Sequence, residues 1–367
     1  MTETDLWTKV AKNVLKASRG IVNHPLTDTV IELMKTLINE EQAKFLLIFN
    51  KPVMNIDQIK EKTDLSDEDL EKMFKSLIDS MVIKVQRSRR GNIPLYYLMP
   101  LFPGIFEQVL LKGESGEKEI KISKLSEKIF EELVPGVQKK YDRTVKFYKN
   151  LPSIDRVIPV EEEIDVPNEQ VLPFEDVKRL IENIDVIALA YCFCRHKNYL
   201  LNDPCKLNAS RENCFYLGKF GEFLIEHDFA RQISKEEARK ILKESEDSGL
   251  VHKTFHHRGD PNLEEIQICS CCKCCCGFFD LYYSGALPIQ SLTSYLSKVD
   301  KETCIGCGTC VERCPTEAID LKDEKAEVNE DKCIGCGLCA HFCPEKAIKL
   351  ERTGPRDVFI PMIKLNE

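Results

Sequence analysis

Two stretches decide how the chain reads: CIGCGTCVERCP at residues 304–315 and CIGCGLCAHFCP at residues 333–344. Each spells C-x-x-C-x-x-C-x-x-x-C-P, and the second copy begins 29 residues after the first. Three thiolates spaced this way wrap three iron corners of a cubane only if the backbone turns tightly. Gly306, Gly308, Gly335 and Gly337 permit that turn and let backbone N–H groups face sulfur. In this spacing the fourth cysteine serves the other cluster. One [4Fe-4S] cluster is therefore assigned to Cys304, Cys307, Cys310 and Cys343, and the other to Cys333, Cys336, Cys339 and Cys314. Zinc favours paired C-x-x-C knuckles and does not account for a crossed fourth ligand.

Upstream, ICSCCKCCCGFF at residues 268–279 holds Cys269, Cys271, Cys272, Cys274, Cys275 and Cys276, and Cys192, Cys194, Cys205 and Cys214 precede it. None of the 18 cysteines lies before Cys192. Residues two apart on a strand share a face, so Cys192 and Cys194 are expected to grip one centre. In an extended chain, Cys269, Cys271 and Cys275 face one way and Cys272, Cys274 and Cys276 the other, so the run is expected to serve two sites. All ten are candidate metal ligands. One or two further [4Fe-4S] clusters are the expectation here, with zinc and redox-active or disulfide-forming thiols as the alternatives. Arg195 and Lys273 stand beside these ligands, where positive charge favours the more reduced cluster unless they are simply solvated. His196, His252, His256 and His257 are weighed as ligands or proton carriers against structural roles.

At 367 residues, with 43% hydrophobic and 31% charged residues, the chain is long enough for two or three folded domains. A formal charge of −8 argues against broad affinity for nucleic acid or anionic membrane. The longest apolar runs, FLLIF and VIALAYCF, are too short to cross a bilayer, and the N-terminus has no apolar leader, so a cytoplasmic protein is expected. A reducing cytosol disfavours structural disulfides and points cysteine-dense patterns toward metal or redox work. There is no G-x-G-x-x-G, no P-loop and no Ser, His and Asp constellation, so no catalytic residue is assigned. Chemistry belongs to the bound centres or to a partner.

The expected fold class is α+β with several domains. Residues 1–110 read as helical and winged-helix-like. The apolar spacing over 27–50, a helix at NIDQIKEKT, and a helix capped by Ser66 and Asp69 are followed by two strands around Arg89–Asn92. Residues 111–172 read as helices around Pro135 and Gly136, then a surface-running connection with four prolines and an acidic run at Glu161–Glu163. Residues 173–297 form a cysteine-rich middle domain: a helix from about Phe174, a strand into YCFCR, a helix capped by Ser234 and Glu237, and a hairpin delivering its end into the cysteine run. Residues 298–352 are the two-cluster domain. Residues 353–367 are a tail suited to packing on its own domain or on a partner.

Over residues 298–351 the chain resembles two-cluster bacterial ferredoxins. From YCFCRHKN through CSCCKCCCG to the repeat, over Val171–Arg352, the order of parts resembles a family of large iron–sulfur proteins of anaerobic bacteria and archaea, with a looser match at PGIFE, Pro103–Glu107. That resemblance implies [4Fe-4S] binding and electron transfer, and it brings no substrate. Cys275, Cys276 and Gly277 are also similar to the CCG of heterodisulfide-reductase-type sites. The expected function is electron transfer to or from a partner oxidoreductase or subunit. The alternatives are a reductase whose middle cluster binds substrate and a redox-sensing winged-helix regulator. Residues 298–351 carry eight Lys or Arg against twelve Asp or Glu, and this acidic surface suits a basic redox partner. In contrast, SDEDLEKMFKSLIDS, where a recognition helix would lie, has five acids against two lysines and repels phosphate.

Overall fold

The computed structural model describes residues 3–18, 24–88, 93–153, 155–164, 176–256 and 265–365. The chain is α+β and divides into two units. One comprises Met1–Gly136, His196–Pro204 and Glu226–Phe229, and the other comprises the remainder.

In the first unit, helix Glu3–Ala17 buries Leu6, Trp7, Val10, Ala11 and Val14 along one face. The stretch expected as one helix over 27–50 is two, Asp28–Leu37 and Glu40–Leu46. The break falls at Asn39, whose extended backbone starts the second helix. Its side chain accepts the Gln42 N–H at 2.9 Å, and the Gln42 side chain accepts the Asn39 N–H at 2.7 Å. Strand β1 (Val53–Asn55), which the sequence did not announce, precedes helices Ile56–Lys60 and Asp67–Asp79. Ser66 caps the latter by accepting the Asp69 N–H at 3.2 Å. Strands β2 (Ile83–Arg87) and β3 (Pro94–Leu98) pair antiparallel, and β1 joins the other side of β3. Arg89 and Arg90, at the expected tip, lie outside the described residues. Helix Glu117–Gln138 continues through Pro135 and ends three residues later.

The second unit is organised on an eight-stranded sheet. Its strands are β4 (Asp155–Ile158), β5 (Ile187–Tyr191), β6 (Glu212–Leu217), β7 (Arg231–Gln232), β8 (Val251–His256), β9 (Glu265–Cys271), β10 (Ile289–Val299) and β13 (Ile348–Ile360), the last following a small hairpin of β11 (Ile319–Lys322) and β12 (Lys325–Val328). The spatial order is β13-β10-β4-β8-β9-β6-β5-β7. This sheet runs through the boundaries expected at 172/173 and 297/298, and the tail expected from residue 353 begins inside β13, paired with β10.

The surface-running connection over Leu151–Pro173 needs correcting. All four residues of β4 are buried, between a parallel contact to β10 and an antiparallel contact to β8. DRVI reads poorly as a central strand because Asp155 and Arg156 are charged. Asp155 can be buried because Lys253 on β8 donates to it at 2.9 Å with both side chains 2% exposed. The helix capped by Ser234 (Lys235–Asp247) and the β8–β9 hairpin follow the sequence reading, and Gly249 ends the former with φ +83°. The helix expected from Phe174 spans Val177–Glu182, capped by Asp176.

Candidate metal centre

In the C-terminal repeat each copy is a loop leading into a short helix, Thr309–Arg313 in one and Leu338–His341 in the other, entered from Gly308 and Gly337 at φ +82°. Cys304, Cys307, Cys310 and Cys343 line one pocket of about 340 Å³ including its open mouth. The other set is deeper. Burial, followed by the neighbouring sulfurs Cys339, Cys314 and Cys333, holds the Cys336 thiol well above its usual range. Burial likewise pushes Cys339 up to about 12. Two buried thiols whose ionisation is disfavoured in this way, set beside further cysteine sulfurs, suit a compensating metal core. Donors already face the sulfurs: the Ala318 N–H reaches Cys314 at 3.2 Å, the Ala347 N–H reaches Cys343 at 3.3 Å, and the Ala326 N–H reaches Cys304 at 3.4 Å. The first two occupy equivalent places in the repeat. The donor set therefore fits iron–sulfur cores.

The ten upstream cysteines fall into two groups. Cys205, Cys272, Cys274 and Cys275 form a nest with all sulfurs within 4.8 Å of one another. Cys192, Cys194, Cys276, Cys271, Cys269 and Cys214 form a hydrogen-bonded succession, with Cys214 directly across from Cys269 on paired strands. Hydrogen bonds from Cys194 and Cys271 draw Cys276 well below the usual thiol range, and a hydrogen bond from Cys194 brings Cys192 down to about 6 in spite of burial.

This grouping corrects the alternation expected along the run. Cys276, not Cys275, joins Cys269 and Cys271, because β9 ends at Cys271 and a turn at 273–275 follows. Opposite faces for adjacent residues hold only while the chain is extended. Likewise Cys192 and Cys194 do not share a strand, since β5 ends at Tyr191 and Cys194 lies in helix Phe193–Leu200.

Arg195 sits at 2% exposure beside both groups. Its guanidinium donates to the Ser210 carbonyl at 2.6 Å, Asn213 Oδ1 at 2.6 Å, the Ser270 carbonyl at 2.8 Å and Cys272 Sγ at 3.9 Å. Burial disfavours its charge, but Cys192, Cys272 and Cys205 outweigh burial and hold the cation firmly. Lys273 instead pairs with Glu317 at 2.6 Å and lies over the Tyr283 ring. The histidines sit in other contacts. His196 Nε2 meets the Glu114 carbonyl at 2.7 Å, and His252 lies 3.1 Å from Ser270 Oγ and 3.6 Å from Glu246. Burial takes His252 down to about 4, so it is neutral at neutral pH. The side chain of His256 and all of His257 lie outside the described residues.

Three contributors escaped the sequence reading. Gln267 donates to Cys214 and Cys269 at 3.1 Å, and its parity with Cys269 and Cys271 on one strand was the available signal. Ser297 lies 3.1 Å from Cys339 Sγ, and Lys253 faces Cys271 and Cys276. Ser297 comes from β10 with no local signature, whereas Lys253 stands on β8 directly across the hairpin from Cys269.

Paired thiol nests on a duplicated loop define an iron–sulfur-binding domain. In accord with this, the family profile described as a 4Fe-4S dicluster domain matches residues 297–350, and the protein is an iron–sulfur protein. Comparisons with curated proteins and with solved structures returned no match. No described helix is long and apolar enough to cross a membrane.

Proposed function

We propose that this protein transfers electrons to or from a partner oxidoreductase, using two [4Fe-4S] clusters in the C-terminal repeat and a further centre among the cysteines upstream. The observation that carries the reading is the crossed sulfur arrangement, in which Cys343 joins Cys304, Cys307 and Cys310, and Cys314 joins Cys333, Cys336 and Cys339. These two sets would hold the two clusters. A bound cubane supplies a one-electron couple whose potential follows charge, hydrogen bonds to sulfur and solvent exposure.

The chain's own residues set those terms. Donors from Ala318, Ala326, Ala347 and Ser297 relieve negative charge on sulfur and favour the reduced state. Cys307 is exposed, and Ile305 beside it is 62% exposed, so this rim offers a partner a short route to the first set. Carboxylates around it would steer a basic partner at low salt. The six-sulfur group of the sheet shares an apolar core with the repeat, since Cys271 and Cys276 pack in one cluster with Ile334 and Cys336. That continuity supports a route from the repeat into a centre held by this group.

The first unit's order of helix, strand, two helices and hairpin supports a winged-helix-like module. Its Asp67–Asp79 helix is acidic through the first turn, which favours protein contact over DNA. We take the protein to be cytoplasmic and from an oxygen-avoiding cell.

Anaerobic isolation with iron, labile-sulfide and EPR measurements tests the reading. Cys343→Ser and Cys314→Ser should each lower iron by about four per chain. A chain without labile sulfide, or unchanged iron in both variants, would refute it.

A further inference from the structure

The four-sulfur nest has the wrong dimensions for a cubane. Its sulfur separations are 3.8 Å for Cys205 to Cys272, 3.8 Å for Cys205 to Cys274, 3.5 Å for Cys272 to Cys274 and 3.7 Å for Cys274 to Cys275. The thiolates of a [4Fe-4S] cluster sit on four separate irons, which sets them roughly 6 Å apart. Around a single tetrahedral ion with metal–sulfur bonds of about 2.3 Å, the four sulfurs stand about 3.8 Å apart, the edge of the tetrahedron.

We propose that Cys205, Cys272, Cys274 and Cys275 form a closed mononuclear site for one thiophilic divalent ion, zinc or ferrous iron, separate from the iron–sulfur centres.

The surroundings match that role. Cys205, Cys272 and Cys275 are buried against Leu250, with Leu207, Ala209 and the partly buried Cys274 alongside, and the four sulfurs supply all four positions of a tetrahedron. The backbone N–H of Leu207 faces Cys205, and that of Lys206 faces Cys274, the donor pattern of a metal knuckle. Four thiolates around a divalent ion leave two negative charges, and Arg195, 3.9 Å from Cys272, offsets part of them. Directly adjacent cysteines argue against a tetrahedral site only in an extended chain. Here the turn at 273–275 brings Cys274 and Cys275 to the same centre. The ion would tie the loop carrying Cys205 to that turn, a structural task for which a site with four protein ligands and no open position is suited.

The inference deepens the metal-binding reading of the upstream cysteines and rests on it only in taking these four as ligands. The experiment is metal and labile-sulfide analysis of the anaerobically purified full chain beside Cys205→Ser and Cys274→Ser. The expected result is a loss of one zinc or one iron per chain in each variant, with sulfide and the EPR signal of the reduced clusters unchanged. Loss of about four irons together with four sulfides, or no change in any metal, would overturn it. Should the variants not fold, the wild-type chain decides. A zinc K-edge spectrum with four sulfurs and no neighbouring metal, or a Mössbauer doublet of isolated tetrathiolate iron, supports the site. Absence of zinc with iron equal to labile sulfide overturns it. A chain with zinc and no sulfide would instead refute the electron-transfer reading while leaving this site standing.

Discussion

Glu107 shows how a single carboxyl can set pH dependence. The residue is partly exposed but its Oε1 is buried, and this burial raises the carboxyl to about 7, against a Gly104 N–H bond at 2.5 Å that acts the other way. A raised carboxyl favours the folded state while it keeps its proton. Its stabilisation is therefore complete below the unfolded value near 4.5 and is lost as pH rises through about 7. Between pH 5.5 and 8 the wild-type chain should lose about 2 kcal/mol more than Glu107→Gln, measured by urea unfolding. Glu246, also raised to about 7 by burial, moves the same way in both proteins and cancels from the comparison. Lys253 and Asp155 make a second test. Lys253→Met strands a buried carboxylate and should cost about 3–5 kcal/mol, and adding Asp155→Leu should recover most of it. A double variant no better than the single one would show that the ion pair is not what admits β4 to the sheet. Neither effect was legible in sequence. Asp155 and Lys253 lie far apart along the chain, and the burial of Glu107 is a property of its neighbours.

At the scale of elements, two helix starts were legible locally, while the capping box at Asn39 and Gln42, equally local, was not read. Ser66 and Ser234 begin their helices because a hydroxyl satisfies an N–H three residues on, and that chemistry needs no tertiary partner. The ligand loops are equally local in spacing but not in fit. Gly335 adopts φ +65°, and a methyl group there would collide with the Tyr295 carbonyl and lie 2.5 Å from Thr293 Oγ1, both on β10. Gly354 has a similar φ of +78° with open space around it. Gly335→Ala should therefore destabilise by at least about 2 kcal/mol and lower iron content, while Gly354→Ala should cost about 1 kcal/mol and leave iron unchanged. Thermal unfolding with iron analysis checks both. Equal behaviour would mean that backbone strain alone, and not the approach to β10, governs the loop. The cysteine run marks the limit of local reading. Its alternation holds from Gln267 to Cys271, where β9 is paired, and fails where pairing stops.

At the scale of the molecule, the eight-stranded sheet ties the repeat to the cysteine-rich region. β10 pairs with β13 from Ile289↔Ile360 to Val299↔Ile348 and with β4 at Ser291 and Leu292. Strands so shared open together. Hydrogen exchange should thus report one opening free energy for the central segments of β4, β8, β10 and β13, and removal of the bound metals should lower it for all of them at once. Separate opening of β10 and β13 from β4 and β8 would show that the repeat folds independently of the rest of the sheet. By itself the sequence determined the repeat, the spacing of its eight cysteines and the helix starts at Ser66 and Ser234, because ligand spacing and capping act over a few residues. Only the tertiary structure decided that ten further cysteines divide into four and six, that a charged tetrapeptide occupies the middle of the sheet, and that Arg195 stands between the sulfur groups. Those outcomes depend on where strand pairing ends and on which distant side chains share a dry interior, and neither is written in the spacing of residues along the chain.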